Sequence, residues 1–168
     1  MFASNTDRHG PHSIDLEFCR ALETSRKAKR LLDDAMRQLD CDGVGLWVFS
    51  KDNQKLTVAL NVARKLQDVE GLAVEIKGSL VGLVAMTGEG ICVGPDANYN
   101  PEVAKKLEVR TFAMVAAPVV VGDDICGVLS AVNQYGATEK TFTREHLKLA
   151  QWMSYLLGLV LADCRRSD

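Results

Sequence analysis

Five cysteines and three histidines are the residues of this chain best suited to redox, metal or nucleophilic chemistry. Cys19, Cys41, Cys92, Cys126 and Cys164 are scattered, and no Cys-x-x-Cys pair occurs. A structural zinc site draws on closely spaced ligand pairs, so none is expected. An odd, dispersed set reads instead as free thiols in a reducing cytosol. His9 and His12 stand in a polar N-terminal stretch and are read as solvated residues rather than a metal pair, while His146 stands far from both. That distribution offers no triad for nucleophilic catalysis. Gly88-Glu89-Gly90 is too short to be a phosphate-cradling loop. The residue inventory therefore points away from an enzyme and toward binding.

The chain that must position any binding residues has 168 residues, enough for one ordinary domain and too few for a second full core. Apolar residues make up 47% and charged residues 25%, which excludes disorder and fibrous architectures. The net charge of −2 gives no reason to expect a nucleic-acid partner. There is no apolar run long enough for a membrane span, and Met1 to Pro11 lacks a signal core. The expected location is the cytoplasm.

Residues 1–12 are read as a flexible tail, 13–164 as the domain and 165–168 as a short C-terminal tail. Ser13 is placed to cap a long helix whose face carries Ile14, Phe18, Ala21, Ser25, Ala28, Leu32, Ala35 and Leu39 at alternating steps of four and three. Val44 to Phe49 and Leu56 to Asn61 read as a hairpin, with Leu56, Val58 and Leu60 alternating against Thr57, Ala59 and Asn61. A middle of short elements follows: a strand at Ala73 to Ile76, a helix from Leu80 to Thr87 between Ser79 and Gly88, a strand at Ile91 to Val93, and a helix after Pro101. Phe112 to Val121 and Ile125 to Val132 form a second hairpin, with Pro118 demanding a bulge or an edge. The last helix, from Thr143 to Cys164, carries two apolar stripes: Ala150, Met153, Leu157, Val160 and Cys164, and Leu149, Trp152, Leu156 and Leu159. So wide an apolar arc needs covering on two sides, by the sheet and by the first helix or a second subunit. This order implies an α+β fold: a central antiparallel sheet, long terminal helices on one face, and short helices and loops on the other.

Three stretches follow one another in this order: GSLVGLVAMTGEGICVGPDANYNPEV (Gly78 to Val103), MVAAPVVVGDDICGVLSAVNQYG (Met114 to Gly136) and FTREHLKLA (Phe142 to Ala150). Together they resemble the GAF domain family, most of all its cyclic-nucleotide-binding phosphodiesterase and adenylyl cyclase branch. The first is similar to the family's pocket segment, the second to its paired central strands, and the third to the start of its terminal helix. In that branch Asn-Lys is followed at a distance by Phe and an acidic pair. Here Asn133 and Phe142 match, Gln134 stands in place of the Lys, and His146-Leu147 in place of the acidic pair.

The resemblance implies a pocket between the sheet and the short middle elements, with ligand-binding residues Ser79, Cys92, Asp96, Asn98, Tyr99 and Thr111. Ser79 would offer a hydroxyl and backbone N–H groups, or serve only as a helix cap. Asp96 and Asn98 would bond a purine-like ring, or the turn's own backbone. Tyr99 would stack on the ligand or act as a partly buried lid. Cys92 is the best placed of the thiols, although a buried, inert role is the expected one. Asn133 is expected to tie loops together and Phe142 to anchor the core. The function implied is a small-molecule sensor, with a cyclic nucleotide as a candidate ligand, no metal, and a homodimer formed through the terminal helices. Its output is expected on another protein, or the chain is a sensor domain excised from a longer one. A structural dimerisation module and a thiol-based redox sensor are the alternatives, and a cavity of a few hundred Å3 would favour sensing.

Overall fold

Ala28, Leu32, Ala35 and Leu39 recur every three or four residues, and none is more than 2% exposed. They are the buried face of the first helix in a computed structural model that describes residues 22–65, 69–108 and 110–165. The expected N-terminal tail, the helical start from Ser13 to Ala21 and residues 166–168 lie outside the described residues, while Arg165, expected in the C-terminal tail, still belongs to the last helix. The element order is α1 (Leu22–Leu39), β1 (Gly43–Phe49), β2 (Lys55–Ala63), β3 (Ala73–Glu75), α2 (Leu80–Thr87), β4 (Ile91–Val93), α3 (Pro101–Leu107), β5 (Thr111–Val121), β6 (Asp124–Gln134) and α4 (Arg144–Arg165).

The strands form one antiparallel sheet in the order β3-β2-β1-β6-β5-β4. Successive side chains point to opposite faces, so each strand feeds two cores. Val44, Leu46, Val48, Val115, Ala117, Leu129 and Ala131 meet α1 and α4 on one side. Trp47, Val58, Val74, Val81, Val84, Ala116 and Val128 form a smaller core with α2 on the other. The strict alternation expected along β2 does not survive. Leu60 pairs with Leu46 and Val58 with Trp47, which leaves Ala59 as a bulge. The extra residue reverses the facing, so Leu60 joins the helix-side core while Leu56 and Val58 join the other. Pro118 meets the edge expectation and not the bulge, since it pairs in register with Val128. β4 pairs only with Met114 to Ala116, so β5 is an edge at Pro118, and a bulge follows between Val119 and Val120.

α4 buries Ala150, Met153, Leu157 and Leu161 against β5 and α1. It lies so close that a Cβ on Gly158 would stand 2.2 Å from the Val120 carbonyl oxygen. The second apolar stripe is only partly covered: Leu149 and Leu156 are half-buried, whereas Trp152 and Leu159 are 57% and 53% exposed. Among the described residues no helix is long and apolar enough to cross a membrane.

Candidate functional site

On the face away from α1 and α4, the sheet, α2, α3 and the loop from Gly94 to Asn100 enclose a cavity of about 420 Å3. Trp47, Val74, Thr111 and Met114 supply its floor from the strands and the start of β5. Ser79, Leu80 and Val81 bring in the first turn of α2, and Pro101, Val103, Ala104 and Lys105 one side of α3. Arg110 and Tyr135, next to the ends of β5 and β6, complete the wall. A smaller hollow of about 100 Å3 shares Trp47, Val103, Thr111 and Met114 and runs on over Gly43 and Gly45. The Trp47 indole donates to the Ser130 hydroxyl at 2.8 Å, which satisfies the one polar atom of that ring and fixes its plane in the floor.

Four of the six residues expected at a ligand site line the cavity: Ser79, Asn98, Tyr99 and Thr111. Ser79 is only 8% exposed, and its hydroxyl accepts the Gly82 N–H at 3.0 Å as the N-cap of α2. That helix stops as expected at Gly88, whose φ of 71° is left-handed and whose N–H returns to Val84. The Tyr99 hydroxyl donates to the Gly94 carbonyl at 2.8 Å and closes the loop onto itself. Burial, followed by the neighbouring Tyr135 and Cys92, pushes the Tyr99 phenol up to about 12, so it remains a neutral donor at physiological pH.

Cys92 and Asp96 stand elsewhere. Cys92 pairs with Val115, whose side chain belongs to the helix-side core, and its thiol donates to the Phe142 carbonyl at 3.2 Å. It therefore lies on the opposite face of β4 from the cavity. Partial burial raises its thiol above the ordinary value, which makes it a weak nucleophile. Asp96 is exposed on the Gly94–Asn100 loop and is not among the lining residues. Cys41 and Cys126 are fully buried free thiols, and burial drives Cys41 up to about 12. Among the described residues no group of three or more His, Cys, Asp or Glu is placed to hold a metal ion.

The sequence reading missed Lys105, Arg110, Tyr135 and Trp47. The Arg110 guanidinium sits 5.0 Å over the Tyr135 ring, and Phe112 meets the same ring edge-on at 5.1 Å. Tyr135 is held there by its N–H to the Arg110 carbonyl at 3.0 Å. Behind it, the Asn133 side chain accepts the Asp42 N–H at 3.3 Å and donates to the Lys140 carbonyl at 2.9 Å, tying the end of β6 to the segment that enters α4. Phe142 is buried at the head of that helix, with His146 edge-on to it.

A family model described as GAF domain matches residues 24–161. No curated protein matches the sequence, whereas many solved structures share the fold. The GAF-B domain of DevS from Mycobacterium smegmatis superposes with a TM-score of 0.69 at 17% identity, covering 87% of this chain and 100% of that one. The blue-light absorbing form of the PixJ GAF domain from Thermosynechococcus elongatus gives 0.70 at 18% identity, covering 92% of each chain. Residues 122 to 287 of a methyl-accepting chemotaxis protein give 0.71 at 10% identity, covering 89% of this chain and 95% of that one. At such identities the likeness is one of fold.

Proposed function

The chain belongs to the GAF domain family, and on that premise we propose that it is a cytoplasmic small-molecule sensor, a binding module rather than an enzyme, acting as a homodimer through its terminal helices. The observation that carries this reading is the cavity of about 420 Å3, within the usual size range of small-ligand sites and walled by apolar side chains with a few polar groups. Ser79, Asn98, Tyr99 and Thr111 would orient the ligand. Cyclic nucleotides are the first candidates, because Gly78 to Val103 resembles the pocket segment of the family's cyclic-nucleotide branch. Occupancy would act as a difference in ligand affinity between two arrangements of α1 and α4. The route is short: Tyr135 lines the cavity, and Asn133, two residues before it, is bonded to the segment that leads into α4.

A thermal-shift screen against cyclic nucleotides, nucleotides, amino acids and small organic acids tests the proposal. A ligand at 100 times its dissociation constant should add about 2.7 kcal/mol, a shift of several degrees. No shift with any of them would move the weight to a second reading, a ligand-free dimerisation module, which the exposed Trp152, Tyr155 and Leu159 of α4 favour. The redox reading has less support, since Cys41 and Cys126 are buried and partial burial raises the Cys92 thiol above its ordinary value.

A further inference from the structure

We propose that the cavity is built for an organic anion with an apolar body, its charge received at the mouth by Arg110 and Lys105. This rests on the sensor reading of the same cavity and names the class of ligand. Acidic residues outnumber basic ones in the chain, 22 to 20, so an average patch of its surface would carry both signs. The described residues lining the cavity include Arg110 and Lys105 and no Asp or Glu. The uncharged depth of the site is formed by Trp47, Val81 and Met114. A ligand entering it therefore meets apolar surface within and positive charge at the rim.

Arg110 is the better defined of the two cations. Its guanidinium is seated on the Tyr135 ring at 5.0 Å, and that ring is braced by Phe112. A seated guanidinium loses less side-chain freedom when it engages a carboxylate, sulfonate or phosphate, and its planar fork suits their oxygens. A neutral ligand of the same shape gains the apolar contact and nothing at the rim. A cationic ligand meets repulsion there.

Two fluorescent dyes separate charge from shape. Anilinonaphthalene sulfonate and phenylnaphthylamine share one ring system, and only the first carries a negative charge. Titrated into the intact chain, the sulfonate should bind about tenfold tighter, a difference of roughly 1.4 kcal/mol. Arg110→Gln with Lys105→Gln should erase most of that preference, weakening the sulfonate far more than the neutral dye. Both positions are exposed, so neither change opens a hole in the core, and an unchanged circular dichroism spectrum checks that the variants fold. Ala104→Trp, which fills the cavity from α3, should weaken both dyes. Should that variant not fold, Asn98→Trp on the exposed loop blocks the mouth instead. If both dyes bind equally, are both weakened by the tryptophan, and ignore the charge variants, the cavity reading stands and the anion proposal is overturned. If neither dye binds, or the tryptophan changes nothing, the cavity reading fails and this proposal fails with it.

Discussion

The Asp42 carboxylate accepts the Thr138 hydroxyl at 2.6 Å, joining residues 96 positions apart in the chain. The same carboxylate accepts the N–H groups of Gln134 and Thr138, both at 2.9 Å. One buried acid thus gathers the start of β1, the end of β6 and the loop toward α4. Gln134 stands where the family's cyclic-nucleotide branch has a Lys that pairs with an acid further on. In this chain the corresponding loop is held by hydrogen bonds to Asp42. Partial burial would raise the Asp42 carboxyl. The Thr138 hydroxyl, the two backbone donors and the Arg64 charge outweigh it and hold the group below its ordinary value.

Asp42→Asn should therefore cost about 1–3 kcal/mol at neutral pH, since it leaves donors poorly matched in a buried place. The acid dependence gives a sharper reading. A carboxylate with a depressed folded pKa contributes stability that is complete above its unfolded value, about 3.9, and is lost as pH falls through the folded value. Urea unfolding of the wild type should weaken progressively as pH falls below about 4, and the variant should show a flatter slope over that range. Equal slopes would mean that the carboxylate is not ionised in the folded clip.

Gly158→Ala tests the seat of α4. In an open helix this change stabilises by roughly 1 kcal/mol. Here the new Cβ would stand 2.2 Å from a backbone oxygen of β5, which cannot swing aside, so α4 must lift. We expect the opposite sign, a loss of about 1–3 kcal/mol. A variant as stable as the wild type would show that α4 can slide on the sheet.

The stripe of α1, the caps of α2 and the hairpin of β5 and β6 were legible in the sequence, because each rests on local spacing or local turn chemistry. The facing of β2 was not. A bulge at Ala59 leaves no mark in a run where Leu56, Val58 and Leu60 already alternate correctly. The facing of Cys92 was hidden for a related reason. Ile91, Cys92 and Val93 are all apolar, so three residues give no phase. Ser79, Asn98, Tyr99 and Thr111 were reachable through the resemblance. Arg110 and Tyr135 meet only through strand pairing. The usable clue was adjacency, Arg110 directly before Thr111 and Tyr135 two residues after Asn133.

Cys92 gives a test of the helix-side placement. Its thiol is exposed, yet raised above the ordinary range by partial burial. In a background with Cys19→Ser and Cys164→Ser, an aromatic disulfide reagent at pH 8 should label one thiol, more slowly than free cysteine. Cys41 and Cys126 should react only after denaturation. Labelling of Cys92 should also be indifferent to any ligand found in the thermal screen. Protection by ligand would place the thiol at the cavity after all.

The exposed face of α4 gives the last prediction. Trp152 stacks on Tyr155 at 5.7 Å between ring centres, and Leu159 stands one turn further along the same side. All three are more than half exposed, and burying one such side chain is worth roughly 1.5–3 kcal/mol. A dimer formed through α4 would cover them. Light scattering should then give twice the chain mass for the wild type and a single chain mass for Trp152→Glu with Leu159→Glu. Because these side chains contribute little to the core of one chain, the double variant should keep its circular dichroism spectrum. If the wild type remains a single chain across the concentration series, the relay through paired terminal helices loses its second helix pair. Ligand occupancy would then have to act within one chain, along the Tyr135, Asn133 and Lys140 connection.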